Sequence, residues 1–247
     1  MRTIFVAVLL TACGSPSDPA TPDASGGGGD APVTADAPVD AAATGFGELS
    51  GMCGVLNDPE LTGATPLLVH DALTFARRFD DPADRPLLTP GGLHLIETPN
   101  AGGSSVFSEV FAYEQLARCE LAALLKTETE ILYDTQGKIT DLEVLVDGHK
   151  IGVSVTRAVQ FPFGTPYTVE NATTLITRKL TDIQASTANV SAADRWEKQI
   201  LAVLAWDDQH AAVVEQVWSG LSADVRADTI VVVTVTNGDD LFIYSDM

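Results

Sequence analysis

The sequence predicts an α/β fold in which a mixed β-sheet is flanked by helices. Apolar residues repeat at intervals of three and four over residues 104–125 and 169–185, which is the period of an amphipathic helix. Residues 200–206 form a continuous apolar run, typical of a strand that helices cover on both faces. Asp147-Gly148, between two alternating segments, indicates a β-hairpin turn. Helices that alternate with buried strands define the α/β class.

Local signals place the elements in the order α-α-β-β-β-α-β-α-β-β. Thr65-Pro66 predicts the start of the first helix, because a threonine cap followed by proline suits a first helical turn. The helices are predicted at residues 65–76, 104–125, 169–185 and 207–221. The strands are predicted at residues 130–133, 139–146, 151–159, 200–206, 229–236 and 241–244, with a further short strand at 93–96.

The N-terminal segment Leu10-Thr11-Ala12-Cys13 resembles the lipobox of bacterial lipoproteins, and it follows Arg2 and a short apolar run. In that family the cysteine is lipidated and the segment before it is removed. The resemblance implies a signal peptide at residues 1–12, a palmitate-type anchor on Cys13 and a place in the cell envelope, with Gly14 favouring the outer membrane. The alternative is an ordinary signal peptide with a chance cysteine.

Composition divides the rest of the chain in two. Residues 14–45 contain no aromatic residue, Leu or Ile, and consist almost entirely of Pro, Gly, Ala, Ser, Thr and Asp. Such a segment cannot bury enough apolar surface to order itself, so residues 13–45 are predicted to be the lipidated cysteine and a disordered tether. No break rich in Pro, Gly and Ser divides residues 46–247, which predicts a single domain.

The charge of the chain disfavours one class of partner. The 34 acidic and 14 basic residues give a net charge of −20, and residues 46–247 keep a net charge of −16. A domain this acidic repels polyanions, so broad nucleic-acid binding is not expected. The expected partners are the membrane, through the lipid anchor, and an unidentified protein or small ligand.

Two cysteines remain after Cys13. In an exported protein Cys53 and Cys119 are candidates for a disulfide, and the alternative is two separate buried thiols. No spacing of Cys and His residues resembles a zinc site. Asp207 and His210 are a candidate proton-transfer pair, although a carboxylate at a helix N-terminus is also stabilised there without any function.

The order helix, strand, two-stranded hairpin, helix, strand over residues 104–206 resembles the core of the PD-(D/E)XK nuclease-like superfamily, the restriction-endonuclease fold. That family carries a Glu on its first core helix, an Asp on the second strand and Glu-x-Lys on the third. Glu109 and Asp141 stand at the first two positions. The resemblance therefore implies that these two carboxylates are candidate ligands for Mg²⁺ or Mn²⁺.

The third strand departs from the family pattern. In the best register Ser154 replaces the acid, Thr156 replaces the Lys, and Arg157 belongs to the opposite face of the strand. A hydroxyl is uncharged and is a weak ligand for Mg²⁺. The first hypothesis is therefore a non-catalytic binding domain without a cofactor.

Two alternatives stay open. One is a metal-dependent phosphodiesterase, using Mg²⁺ or Mn²⁺, with an atypical site around Glu109, Asp141, Ser154 and Thr156. The other is a structural or accessory component of a cell-envelope assembly.

Overall fold

The computed structural model describes residues 42–99 and 105–245, whose strands form one mixed sheet. The strands are β1 Ala42–Ala43, β2 Gly47–Gly51, β3 Leu67–Phe75, β4 Ala123–Thr127, β5 Leu142–Val146, β6 His149–Ala158, β7 Lys198–Ala205 and β8 Ile230–Gly238. Their order across the sheet is β1-β2-β3-β8-β7-β6-β5-β4. The four central strands, β3, β8, β7 and β6, are mutually parallel, and the outer pairs are antiparallel.

Helices cover both faces of this sheet. They are α1 Asp58–Thr62, α2 Pro90–Glu97, α3 Val106–Cys119, α4 Val169–Asn189, α5 Asp208–Gly220, α6 Ala223–Arg226 and α7 Leu241–Tyr244, with short 3₁₀ turns at Pro82–Leu87 and Ala192–Asp194. Alternate residues of β7 divide between two hydrophobic clusters, one packed on α3 and the other on α4 and α5. Every residue of β7 is buried, as its continuous apolar run predicts. The prediction of an α/β fold with a mixed, helix-flanked sheet is confirmed.

The unequal lengths of two neighbouring strands create an opening in the sheet. β5 pairs with β6 only from His149 to Val153, whereas β7 pairs with β6 as far as Ala158. The second half of β6 therefore has a free edge on the side of β5. Backbone N–H and C=O groups along such an edge need partners from side chains or ligands.

Two predicted elements have the wrong type. Residues 65–76 are predicted as a helix, but Leu67–Phe75 is the strand β3, which lies between β2 and β8. Its residues alternate between buried and partly exposed positions, and pairing with two neighbours overrides the local Thr65-Pro66 signal. Residues 93–96 are predicted as a strand, but they belong to α2. There Thr89 caps the helix through a bond from the Gly92 amide at 3.2 Å, and proline opens its first turn.

The helix predicted at 104–125 ends early, at Cys119, and Leu121 has a φ of 53°, which no helix continues through. Residues 130–133, predicted as a strand, have only the isolated bridge from Tyr133 to Val190, and the edge strand β4 is formed by Ala123–Thr127. The last predicted strand, at 241–244, is the short helix α7. A hairpin partner for β8 is impossible because β3 and β7 already occupy both of its edges.

The folded region also begins earlier than predicted. Ala42–Ala43 pairs with β2 ahead of the predicted domain start at residue 46, and neither strand was expected from the sequence. The predicted signal peptide at residues 1–12, Cys13 and the tether up to residue 41 lie outside the described residues. Among the helices of the described ranges, none has the length and apolar character needed to cross a membrane.

Candidate active site

A cavity of about 190 Å³ lies at the free edge of β6. Its walls come from α3, from the residue that precedes β5, from β6 and from α4. The lining residues are Ser105, Ser108, Glu109, Asp141, Val155, Thr156, Arg157 and Lys179. The start of β5 therefore marks an opening where residues that are distant in sequence come together.

The carboxylate of Asp141 occupies the edge that β5 leaves free. Its Oδ2 accepts a hydrogen bond from the Val155 amide at 2.6 Å and another from the Ser154 hydroxyl at 3.1 Å. Burial raises the pKa of the Asp141 carboxyl, and the nearby Lys179 ammonium group, with these hydrogen bonds, opposes part of that rise. The side chain thus replaces a missing strand partner while it also lines the cavity.

Lys179 reaches the same edge from α4. Its Nζ donates a hydrogen bond to the Val155 carbonyl at 2.7 Å. The amide and the carbonyl of Val155 point to the same side of the strand, so Asp141 and Lys179 satisfy adjacent backbone groups of a single residue. A carboxylate and an ammonium group are consequently held side by side at the cavity.

Glu109 belongs to the first turn of α3 and is buried. Its Oε1 accepts a hydrogen bond from the Ser105 hydroxyl at 2.6 Å. A carboxylate is favoured at this position because the N-terminus of a helix carries partial positive charge. α3 therefore supplies the second acidic group of the cavity.

The residues predicted on β6 have different places at this site. Ser154 is buried and bonds Asp141, but it does not line the cavity, whereas Thr156 lines it together with Val155 and Arg157. Arg157 had been expected on the opposite face, but the cavity opens at the strand edge, where residues of both faces are accessible. The Arg157 Nη1 donates to the Ile243 carbonyl at 3.1 Å, which ties it to α7.

The donor set at this cavity is small. In the part of the chain that the structure describes, no group of three or more His, Cys, Asp or Glu side chains is placed to hold a metal ion. A divalent cation here would have two carboxylates, Glu109 and Asp141, and would complete its coordination with other oxygens. That arrangement suits Mg²⁺, which is commonly bound by one or two carboxylates, water and substrate phosphate.

Lys179 is the residue of this site that sequence reasoning missed. It lies on α4 between the buried residues Ile176 and Leu180. In the sequence, a charged residue at this position indicates only a solvated helix face. Only the packing of α4 beside the open edge of β6 places its ammonium group near Asp141. No motif spacing in the sequence indicates that contact.

The other predicted pairs lie away from the cavity. Cys53 and Cys119 form a disulfide between the loop after β2 and the end of α3. Asp207 caps α5, and its Oδ1 accepts from both the amide and the Nδ1 of His210, at 2.8 Å and 2.6 Å. Neither Asp207 nor His210 lines the cavity that holds Glu109 and Asp141.

No protein-family model matches this chain, and no solved structure matches it. The chain is 42% identical over 163 residues to a Dictyostelium discoideum protein described as AAC-rich mRNA clone AAC4 protein. The match covers 63% of this chain and 24% of that protein, so the chain spans about a quarter of the relative's length. A eukaryotic relative contradicts the prediction of a membrane-anchored bacterial lipoprotein that displays a binding domain, because the lipobox signal is a bacterial one. That prediction is wrong.

Proposed function

We propose that this protein is a divalent-cation-dependent phosphodiester hydrolase with an atypical site. The observation that carries the proposal is the convergence of Glu109, Asp141 and Lys179 on one cavity. Carboxylates that hold a divalent cation, and Lys or Arg groups that stabilise phosphoryl oxygens, are recurring parts of phosphodiester-cleaving sites. Here they come from α3, from the start of β5 and from α4.

A restriction-endonuclease-like core is the finer fold assignment that goes with this function. The order α3-β4-β5-β6-α4-β7 supports it, with antiparallel pairing from β4 to β6 and parallel pairing of β6 with β7. The positions of Glu109 on the helix and Asp141 at the second strand also support it. Ser154 and Thr156 at the third strand are the departure, since they stand in place of the acid and the lysine of the family pattern.

Glu109 and Asp141 would hold Mg²⁺ or Mn²⁺, which when bound activates a water molecule for attack on phosphorus. The bonds from Val155 and Ser154 orient the Asp141 carboxylate through Oδ2. They leave Oδ1 without a hydrogen bond from the described residues. One oxygen of the carboxylate is thus available as a ligand while the other fixes its position.

The two cations of the cavity would bind the substrate phosphate. Lys179 is held next to Asp141 by the Val155 carbonyl, and Arg157 is held from the other side by α7. Positive groups in fixed positions stabilise the charge that develops on the phosphoryl oxygens in the transition state. They also offset part of the repulsion between a phosphate and this acidic chain.

Mn²⁺ binding and phosphodiester cleavage by the full-length chain test the proposal. Calorimetry measures the Mn²⁺ Kd, and release of p-nitrophenol from bis(p-nitrophenyl) phosphate measures hydrolysis. We expect Glu109→Gln and Asp141→Asn each to weaken Mn²⁺ binding at least tenfold, or about 1.4 kcal/mol, because each removes a charged ligand. Lys179→Met should keep Mn²⁺ binding and lower the cleavage rate by about 10²–10³-fold.

Asp147→Asn and Lys138→Met are the matched controls, since both residues are exposed and lie outside the cavity. They should leave Mn²⁺ affinity and cleavage unchanged. The proposal fails if Glu109→Gln and Asp141→Asn bind Mn²⁺ as the wild type does. It also fails if the wild type cleaves no phosphodiester at saturating Mn²⁺.

A further inference from the structure

A second and larger cavity lies at the carboxyl ends of the parallel strands β6 and β7. Its volume is about 380 Å³, within the range of roughly 300–1,000 Å³ that is usual for small-molecule sites. Val159 and Gln160, which follow β6, and Trp206 and Asp207, which follow β7, form its floor. Ligands of open α/β sheets commonly bind outside the carboxyl ends of the strands.

Two pairs of stacked rings form walls of this cavity, which we call the aromatic cavity. Phe163 stacks on Trp206 with ring centroids 4.8 Å apart, and Tyr167 stacks on His210 at 5.0 Å, both with an interplanar angle of 19°. Phe163 is 40% exposed, so part of its ring surface is open to a ligand. Flat aromatic faces beside an open cavity are the usual recognition element for the ring of an unpaired nucleobase.

Polar groups accompany the rings. Nδ1 of His210 lies 2.6 Å from Oδ1 of Asp207, and Nε2 of the same ring has no hydrogen-bond partner among the described residues. The Tyr167 hydroxyl is buried and has no hydrogen-bond partner within the described part of the chain. A buried hydroxyl without a partner costs free energy, so binding of a ligand that supplies a hydrogen-bond partner is favoured. Gln160 and Gln209 add amide groups to the lining.

A further cavity lies between the aromatic cavity and the cavity lined by Glu109 and Asp141, which we call the carboxylate cavity. This third cavity, of about 310 Å³, shares Val159, Gln160 and Tyr167 with the aromatic cavity, and it shares Arg157 with the carboxylate cavity. Arg178 also lines it, and Glu170 is its acidic residue. The three cavities are thus neighbours that share lining residues, from the rings to Arg157 beside Asp141.

The charges of the residues that line these cavities indicate which ligand fits them. Arg157 and Arg178 form no ion pair with the acidic side chains that the structure describes, whereas the Arg77, Arg78 and Arg118 side chains are paired. Guanidinium groups without a carboxylate partner bind phosphate well. The chain carries a net charge of −20, so a long polyanion is repelled, while one or two phosphates are tolerated.

We propose that the aromatic cavity binds the base of a nucleotide whose phosphate reaches Arg157 and Arg178. The ligand class is a nucleoside phosphate with one unpaired base. The proposal rests on the proposed function for the role of the bound nucleotide as substrate. The proposal of a base site depends on the rings, the polar groups without partners and the two arginines. Nucleotide binding to it can be measured without a metal ion and without hydrolysis.

Calorimetric titration of the full-length chain in EDTA tests this proposal, with AMP, adenosine, ribose 5-phosphate and inorganic phosphate as probes. We expect AMP to bind with a Kd below about 1 mM. Adenosine should bind at least threefold more weakly, and the two ring-free phosphates at least tenfold more weakly. Tryptophan fluorescence should change with AMP and adenosine only, because Trp206 lines the aromatic cavity.

Variants separate the two ends of the ligand. Phe163→Ala should weaken both AMP and adenosine at least fivefold, because it removes an exposed stacking face. Arg178→Gln should weaken AMP at least threefold and leave adenosine unchanged. The matched controls are Leu132→Ala and Arg195→Gln, which alter exposed residues elsewhere and should bind like the wild type.

The base site is refuted if AMP does not bind at 5 mM, if Phe163→Ala binds AMP normally, or if inorganic phosphate binds as well as AMP. Because EDTA removes divalent cations, the result does not depend on hydrolysis. Asp141→Asn should bind AMP like the wild type even though it loses Mn²⁺. AMP binding without any metal-dependent cleavage would therefore reject the proposed hydrolase and keep the base site.

Discussion

The carboxylate of Asp141 accepts a hydrogen bond from the Val155 amide at 2.6 Å, at the point where β5 no longer covers β6. The Asp141 side chain thus replaces the hydrogen bond that a neighbouring strand would make. The same side chain lines the cavity to which we assign phosphodiester hydrolysis. Lys179 completes the arrangement by binding the Val155 carbonyl. The candidate site and the free edge of β6 are consequently one structural feature.

This relationship predicts different outcomes for two substitutions of Asp141. Asp141→Ala should lower the free energy of unfolding by about 2–3 kcal/mol at pH 7, because it leaves the buried Val155 amide and the Ser154 hydroxyl without an acceptor. Asp141→Asn keeps an acceptor oxygen and should cost less than about 1 kcal/mol. Urea unfolding measures both values, with Asp147→Asn as the control. Equal stability of wild type and Asp141→Ala would contradict the capping role.

The buried carboxyl of Asp71 predicts how stability depends on pH. Burial raises its pKa from 3.8 to about 7, although bonds from the Met52 amide and from Gln115 oppose the rise. The folded state therefore holds this proton to higher pH than the unfolded chain does. Its contribution to stability is complete below about pH 4 and is lost as pH rises through about 7.

Asp71→Asn removes that titration and isolates its contribution. The wild type should lose roughly 3–5 kcal/mol more than Asp71→Asn between pH 4 and pH 8, by the free-energy equivalent of the shifted pKa. Urea unfolding at pH 4, 6 and 8 gives the comparison, since all other titrating groups are common to both proteins. Parallel pH profiles would show that Asp71 does not titrate in this range.

The disulfide between Cys53 and Cys119 closes a long loop, with the two cysteines 66 residues apart. Replacing both cysteines by serine should cost about 4 kcal/mol, because the unfolded chain regains the entropy of the open loop. Urea unfolding with and without a reducing agent measures this loss. The reducing agent should lower the stability of the wild type and leave the serine variant unchanged. Identical midpoints in all four samples would mean that the bond adds no stability.

Phe111 is the centre of the aromatic core on the α3 face of the sheet. Its ring lies 4.8–5.5 Å from those of Phe46, Phe75, Phe79 and Phe242, measured between centroids. Phe111→Ala should cost about 3–5 kcal/mol because it empties a closed space that neighbours refill only in part.

Thermal or urea unfolding measures that cost, and Leu132→Ala is the control. Leu132 is 59% exposed, so its truncation should change stability by no more than about 0.5 kcal/mol. A Phe111→Ala variant with the same free energy of unfolding as the control would show that this aromatic cluster does not stabilise the core. Loss of folding would agree with the prediction.

Sequence periodicity predicted the elements whose local pattern and tertiary environment agree. α4, β7 and α5 were placed within a few residues because an apolar stripe or a continuous apolar run is also what the folded sheet buries. The Thr-Pro signal shows the limit of local information. The same dipeptide opens the helix α2 at Thr89 but precedes the strand β3 at Thr65.

By itself, the sequence determined the α/β class, the acidic charge and the segments that carry Glu109 and Asp141, because these depend on composition and on short periodic patterns. Tertiary structure alone decided which side chains share a cavity. Lys179 and Arg157 join Asp141 at one cavity because β5 begins opposite Val153 and leaves the rest of β6 uncovered, and the relative length of two neighbouring strands is set by pairing between distant segments. No local spacing encodes that pairing.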